Sequence, residues 1–151
     1  MGTHHQGCAD EVRALDAYIK LMRSVAVLNG NLQQALRAHN LTLSQLGVLE
    51  SLMHLGPMCQ KEVGSKLLLS GGNITTVVNN LEKRGLVLRL RQANDRRFVR
   101  LSLTEPGREL IESVFPEHAA TITAQLGALT CEEQEQLATL CRKLGRGMAG
   151  A

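Results

Sequence analysis

Residues 67–87 read Leu67-Leu-Leu-Ser-Gly-Gly-Asn-Ile-Thr-Thr-Val-Val-Asn-Asn-Leu-Glu-Lys-Arg-Gly-Leu-Val87. Ile74, Val77, Val78 and Leu81 fall at i, i+3, i+4 and i+7, which puts them on one inward face of a helix. Ser70 can cap that helix, the Gly71-Gly72 pair permits a sharp turn before it, and Gly85 supplies its stop. At about 100° per residue the opposite face carries Gly72, Thr76, Asn79 and Lys83, with Asn73, Thr75 and Asn80 on its shoulders. That outward face is polar and holds no acid.

Downstream of Gly85 the period changes from 3.6 to 2. Leu86, Leu88 and Leu90 alternate with Val87, Arg89 and Arg91, and later Val99, Leu101 and Leu103 alternate with Phe98, Arg100 and Ser102. The polar segment 92–97 joins the two runs, so an antiparallel hairpin is expected, with basic residues at its tip and along one face. Residues 82–100 carry Lys83, Arg84, Arg89, Arg91, Arg96, Arg97 and Arg100 against only Glu82 and Asp95, whereas the whole chain is merely +3. The remainder is therefore mildly acidic, and a basic patch confined to one segment points to a localised polyanion contact.

Upstream, Thr42-Leu-Ser-Gln45 is a capping box opening a helix whose buried stripe is Leu46, Leu49 and Met53 and which Gly56-Pro57 ends. Residues 59–68 make a short third helix with Val63 and Leu67 on its inner side. Residues 9–38 form a long first helix with an apolar stripe at Val12, Leu15, Ile19, Met22 and Ala26, continued by Leu28, Leu32 and Leu36. Such a helix would be about 45 Å long, more than one small core covers, so part of it is expected to pack on a second chain. After the hairpin, Thr104-Glu-Pro-Gly opens another helix with Leu110, Ile111, Val114 and Phe115 on its apolar side and a kink or break expected at Pro116. Thr130-Cys-Glu-Glu133 caps a last one bearing Leu137, Leu140 and Leu144.

The order is α-α-α-α-β-β-α-α, a mainly α fold with a small β-hairpin wing. Three short helices followed by a hairpin describe a winged helix-turn-helix: the helix after the tight turn enters a DNA groove and the hairpin loop touches the flank. Thr, Asn and Lys side chains can hydrogen-bond base edges and phosphates without repulsion, and free amides at the helix N-terminus suit a phosphate. Arg96 and Arg97 at the wing tip suit the negative potential of a narrow minor groove, with Asp95 able to orient a guanidinium.

This run, followed by Asn94-Asp-Arg-Arg97 and Leu103-Thr-Glu-Pro-Gly-Arg-Glu-Leu110, resembles the MarR family of bacterial transcriptional regulators over about residues 40–112. The resemblance implies a single domain of residues 1–151, with 9–38 and 105–147 as dimerisation helices and 42–104 as the DNA-binding lobe. It implies an obligate-type homodimer whose terminal helices interlock and whose lobes bind successive major grooves of a pseudo-palindromic operator. It also implies a repressor that an effector releases by changing the separation of the lobes. Asp95 and Arg97 fall on the family's wing motif D-x-R; Asn73, Thr75, Thr76 and Asn79 fall on its recognition helix, where Ser70, Asn80 and Lys83 join them. Tyr18, Met22, Met53 and His54 are candidates for a cleft taking a small lipophilic or phenolic effector, although ordinary packing also accounts for them. Cys8, near the first helix, is the candidate for a redox role, but its surroundings do not reproduce the motif of peroxide-sensing members.

Other functions find less in the chain. Cys59, Cys131 and Cys141 carry no signal for thiolate stabilisation and are expected to be inert and buried. No C-x-x-C pair occurs and the histidines lack ligand spacing, so no metal is expected, and no cofactor. His4, His5 and Cys8 sit in a small polar opening segment, residues 1–8, taken as an unpatterned tail or a cloning remnant. There is no phosphate-binding loop, nucleophile elbow or zinc-hydrolase motif, so the chain is not expected to be an enzyme. With no run of about twenty apolar residues and no basic-then-apolar start, no membrane partner is expected and the compartment is the cytoplasm. The rival reading is a winged helix that serves as a protein-interaction module, or a MarR-like protein without DNA binding.

Overall fold

In a computed structural model, residues 2–92 and 95–148 are described, with the side chains of all of them except 91, 92, 95–98, 147 and 148. Helix α1 spans Ala9–Leu36 and runs into a single 3-10 turn, Arg37–His39, closed by Asn40 in the left-handed region. Helix α2 (Leu43–Leu55) starts at the expected capping box: Thr42 Oγ1 accepts from the Gln45 backbone N–H at 3.2 Å, and Gln45 Oε1 accepts from the Thr42 N–H at 3.0 Å. Gln33 of α1 staples this junction, donating to the Leu41 carbonyl and accepting from the Leu43 N–H.

Next come strand β1 (Met58–Cys59), helix α3 (Gln60–Lys66), helix α4 (Gly71–Lys83), strands β2 (Val87–Gln92) and β3 (Asp95–Leu103), and helices α5 (Glu105–Leu126) and α6 (Cys131–Met148). The sheet is antiparallel with order β1-β3-β2, so the expected two-stranded hairpin has a third strand that two residues after Pro57 were too few to announce. Met58 pairs with Leu101 and Cys59 with Arg100.

The hairpin forms as expected, and its register decides which set of β2 residues faces the core. The register sets Val87 opposite Leu103 and Arg89 opposite Leu101, so these four share the core-facing side. Val87 and Leu101 are buried, whereas Leu88 is half-buried and Leu90 is 49% exposed on the other side, opposite Arg100. Leu86 is buried too, but from the turn before the strand, after Gly85 at φ 70°. Arg89 and Arg100 consequently lie on opposite faces, not along one.

The turn before α4 also differs from expectation. Gly71 and Gly72 are the first residues of α4 and neither has a positive φ; the left-handed residue is Leu68, at φ 54° and 92% exposed. Its position is fixed by the Leu69 N–H bonding back to the Gly64 carbonyl at 2.9 Å, which satisfies a carbonyl that the end of α3 would leave open.

The core gathers Leu36 of α1, Leu46, Leu49 and Leu52 of α2, Val63 of α3, the Ile74-Val78-Leu81 stripe of α4, Leu101, and Ile111 and Val114 of α5. Met53, expected in the buried stripe, is only half-buried, and Val48 and Leu52 take that role instead. Thr104 joins the wing to α5: its Oγ1 donates to the Gly85 carbonyl at 2.6 Å and its N–H to the Leu86 carbonyl at 3.1 Å. Gly107, buried in the first turn of α5, lies so close that any Cβ there would overlap the Leu86 carbonyl oxygen. Pro116 does not interrupt α5, which is a single helix.

Residues 1–118 form one compact unit and 119–151 another. In the second, Thr130 and Glu133 form the expected cap of α6, and Gln134 donates to the carbonyls of Leu126 and Leu129. Apart from Gln134, every residue of α6 from Cys131 to Arg146 is exposed. Among the described residues no helix is long and apolar enough to cross a membrane.

Candidate nucleic-acid interface

Helix α4 presents a half-apolar, half-polar cylinder. Ser70 caps it, its Oγ accepting from the Asn73 N–H at 3.3 Å, while Ile74, Val78 and Leu81 anchor it in the core. Gly64 permits this seating, since a Cβ there would press on Ile74 at 3.3 Å. Asn73, Thr75, Thr76, Asn79, Asn80 and Lys83 are all exposed, as the sequence spacing predicts.

Their polar atoms are not equally available. Thr76 Oγ1 donates to the Gly72 carbonyl at 3.1 Å, which leaves its oxygen as an acceptor. Thr75 Oγ1 donates to the Gly71 carbonyl at 2.8 Å and also accepts from Gln60 Nε2 at 2.8 Å. With its proton and one lone pair committed, Thr75 offers an approaching base chiefly its methyl group. Asn79 Oδ1 accepts from Arg89 Nη2 at 2.8 Å, and the same guanidinium pairs with Glu82 and reaches Gln60 Oε1 at 3.2 Å.

The basic segment therefore divides into two classes. Arg89 is held within the protein, and Arg84 donates to the Asn40 and His39 carbonyls at 2.8 and 3.5 Å, fastening the end of α4 to the turn after α1. Lys83 and Arg100 are exposed. Neither internal role of an arginine was expected from the sequence, because each partner lies on an element that only tertiary packing brings near. The segment 92–97, expected as the joining loop, is mostly strand: Gln92 ends β2, and Asp95, Arg96 and Arg97 belong to β3, since the pairing runs further toward the tip than the apolar alternation; their side chains lie outside the described ones.

The other candidate residues are spread out. Tyr18 and Met22 on α1 are 60% and 46% exposed, Met53 is half-buried, and His54 is exposed with its ring edge-on to Phe115 at 5.0 Å. A groove of about 280 Å³ beside His54 is lined by Gly47, Glu50, Ser51, Leu55, Lys66 and Leu67, without Tyr18, Met22 or Met53. All four cysteines are free; Cys8 precedes α1 and is exposed, Cys59 is half-buried, and Cys131 and Cys141 are exposed on α6 rather than buried. The segment before α1 folds back on it: the Thr3 N–H donates to Asp16 Oδ1 at 2.6 Å, and the Cys8 N–H to Glu11 Oε2 at 3.0 Å. That bond to Thr3 is the main reason the Asp16 carboxyl sits below its ordinary pKa. Among the described residues no group of acidic, histidine or cysteine side chains could hold a metal ion.

A capped polar helix seated by its apolar face beside an antiparallel wing is an arrangement this chain shares with known proteins. The family model for the MarR family matches residues 41–99. The HTH-type transcriptional regulator MhqR of Bacillus subtilis (strain 168) is 33% identical over 133 residues, covering 88% of this chain and 92% of the relative. The HTH-type transcriptional repressor MdtR of the same organism is 28% identical over 138 residues, covering 91% and 88%. Among solved structures, AbsC of Streptomyces coelicolor shares the fold with a TM-score of 0.85 over 97% of this chain and all of its own, at 21% identity. BpsR of Bordetella bronchiseptica, whose DNA binding 6-hydroxynicotinic acid regulates, superposes with a TM-score of 0.78 at 26% identity, over 85% of this chain and 98% of its own. With the family model matched and the likeness running along most of its length, this chain belongs to the MarR family and is a DNA-binding transcriptional regulator, not an enzyme.

Proposed function

We propose that the chain acts in the cytoplasm as a homodimeric repressor, each α4 lying in a major groove of a pseudo-palindromic operator with half-sites about 34–36 Å apart. The observation that carries this is the exposed face of α4, where Asn73, Thr76, Asn79, Asn80 and Lys83 stand together and the single acid of the helix, Glu82, is paired with Arg89, while the opposite face is locked into the core. Ser70 leaves the remaining N-terminal amides of α4 open to a phosphate, and Asp95, Arg96 and Arg97 are assigned to the wing contact with the minor groove.

Pairing of two chains is supported by apolar side chains left uncovered on the terminal helices. Leu137, Leu140 and Leu144 recur on one side of α6, and Tyr18, Met22 and Val25 are exposed on α1. Similarity to a named repressor supports the direction of control. Regulation of BpsR by an aromatic acid supports an effector of small lipophilic or phenolic character here, with Tyr18, Met22, Met53 and His54 as the residues to test first. Cys8 is the residue to test for an oxidant response, being exposed and free.

Selection of bound duplexes from a random pool, repeated across salt concentrations, tests the reading. A two-fold-symmetric motif with half-sites one helical turn apart, and log affinity falling linearly with log salt, is expected. Absence of an enriched duplex would overturn it and favour a protein-binding winged helix.

A further inference from the structure

Arg89 lies on β2, outside the helix that reads DNA, yet its guanidinium touches three side chains that bear on that helix. It pairs with Glu82 and donates to Asn79 Oδ1 at 2.8 Å and to Gln60 Oε1 at 3.2 Å. A guanidinium has five donors and no acceptor, so only oxygens can meet it. This requirement decides which way round both amides stand. Gln60 turns its oxygen to Arg89 and its nitrogen to Thr75 Oγ1, whose own proton goes to the Gly71 carbonyl. Asn79 turns its oxygen to Arg89 and keeps both hydrogens of its amide nitrogen, with one lone pair of that oxygen, for whatever approaches α4.

An unheld asparagine is two-sided: its donor and acceptor together match the N7 and N6 groups of adenine. With its oxygen turned to Arg89 and one of that oxygen's two lone pairs taken, Asn79 approaches a base edge chiefly as a donor. Guanine offers two neighbouring acceptors, N7 and O6, whereas adenine offers one beside an amine whose hydrogens oppose those of the amide. We infer that Arg89 is a specificity-determining positioning residue, turning Asn79 from a reader of adenine into a reader of guanine without touching DNA itself. The Glu82 carboxylate balances its charge, so Arg89 adds little to phosphate attraction. This inference rests on the assignment of α4 as the DNA-reading helix.

The test compares duplexes selected from a random pool by the full-length protein and its variants. N79A identifies the base pair that Asn79 reads. There the unaltered protein is expected to favour guanine over adenine by about tenfold, the scale of one good base contact. R89M should reduce that ratio below about threefold or reverse it, with the rest of the half-site unchanged and the salt slope unmoved. R89K, also donor-only, should keep guanine. Should R89M fail to fold, E82Q loosens the anchor of the guanidinium and should move the ratio in the same direction by a smaller factor.

An unaltered guanine preference in R89M or, if that variant is unfolded, in E82Q would overturn the inference while leaving the DNA-reading role intact. So would adenine as the preferred base of the unaltered protein. A salt slope lower by about one unit in R89M would also overturn it, because that would make Arg89 a phosphate ligand. If the unaltered protein enriches no duplex, the role of α4 fails and this inference with it.

Discussion

Leu68 occupies a backbone region that costs a side-chain-bearing residue about 1–2 kcal/mol, and it buries almost none of its own side chain to offset that cost. Leu68→Gly should therefore raise stability by up to about 1 kcal/mol, some of the relief being returned to the more flexible unfolded chain. A urea midpoint that moves up with an unchanged slope would show this; a lower midpoint would mean that Leu68 packs on something in the working protein. The caps at Thr42, Ser70 and Thr130 were legible in the sequence because each hydroxyl and the N–H it accepts lie within three residues. Leu68 was not, because glycines three residues later offered a cheaper turn that the fold does not use. Arg84 and Arg89 were counted as surface charge for a similar reason: their oxygen partners are up to 45 residues away in the chain.

Among the elements, β2 shows how little a strand's own pattern decides when one side carries leucines and the other Val87 and arginines. Leu86, Leu88 and Leu90 look like an inward set, yet the register with β3 gives that side to Val87 and Arg89. By contrast, α4 was legible because its apolar residues occupy one side only. Helix α3 carries a pH-sensitive cap: the Glu62 carboxylate accepts from the Cys59 N–H at 2.9 Å, which chiefly holds its pKa below the ordinary 4.5. The folded state thus favours the charged form, so the contribution is complete above pH 4.5 and is lost as pH falls through the lowered value. Glu62→Gln should lower stability at neutral pH and flatten its decline below pH 4.5, read from urea midpoints; equal acid limbs in both proteins would contradict this. For the wing, the proposed groove contact means that Arg97→Ala should weaken operator binding and lower the salt slope by about one unit. An unchanged slope and affinity would remove Arg97 from the interface.

For the whole molecule, the terminal helices are where the single chain is least self-sufficient. Leu140 is 63% exposed at the middle of an α6 side that also exposes Leu137 and Leu144. Leu140→Glu should leave the helical content of the chain intact but convert the proposed dimer to monomer in sedimentation, with loss of binding to a two-half-site operator and only weak binding to one. A variant that still sediments as a dimer would place the pairing surface elsewhere. The length of the first helix suggested the proposed second chain; which residues would meet it did not follow, because an apolar stripe reads the same whether its own core or a neighbour covers it.

The start of α5 is where the wing is fastened to the helix that follows it. With Thr104 bound to the last turn before the wing and Gly107 flush against Leu86, no side chain cushions the junction between α5 and the wing. The joint leaves no room for slip, so a displacement of the first turn of α5 must carry Leu86 and the start of the hairpin with it.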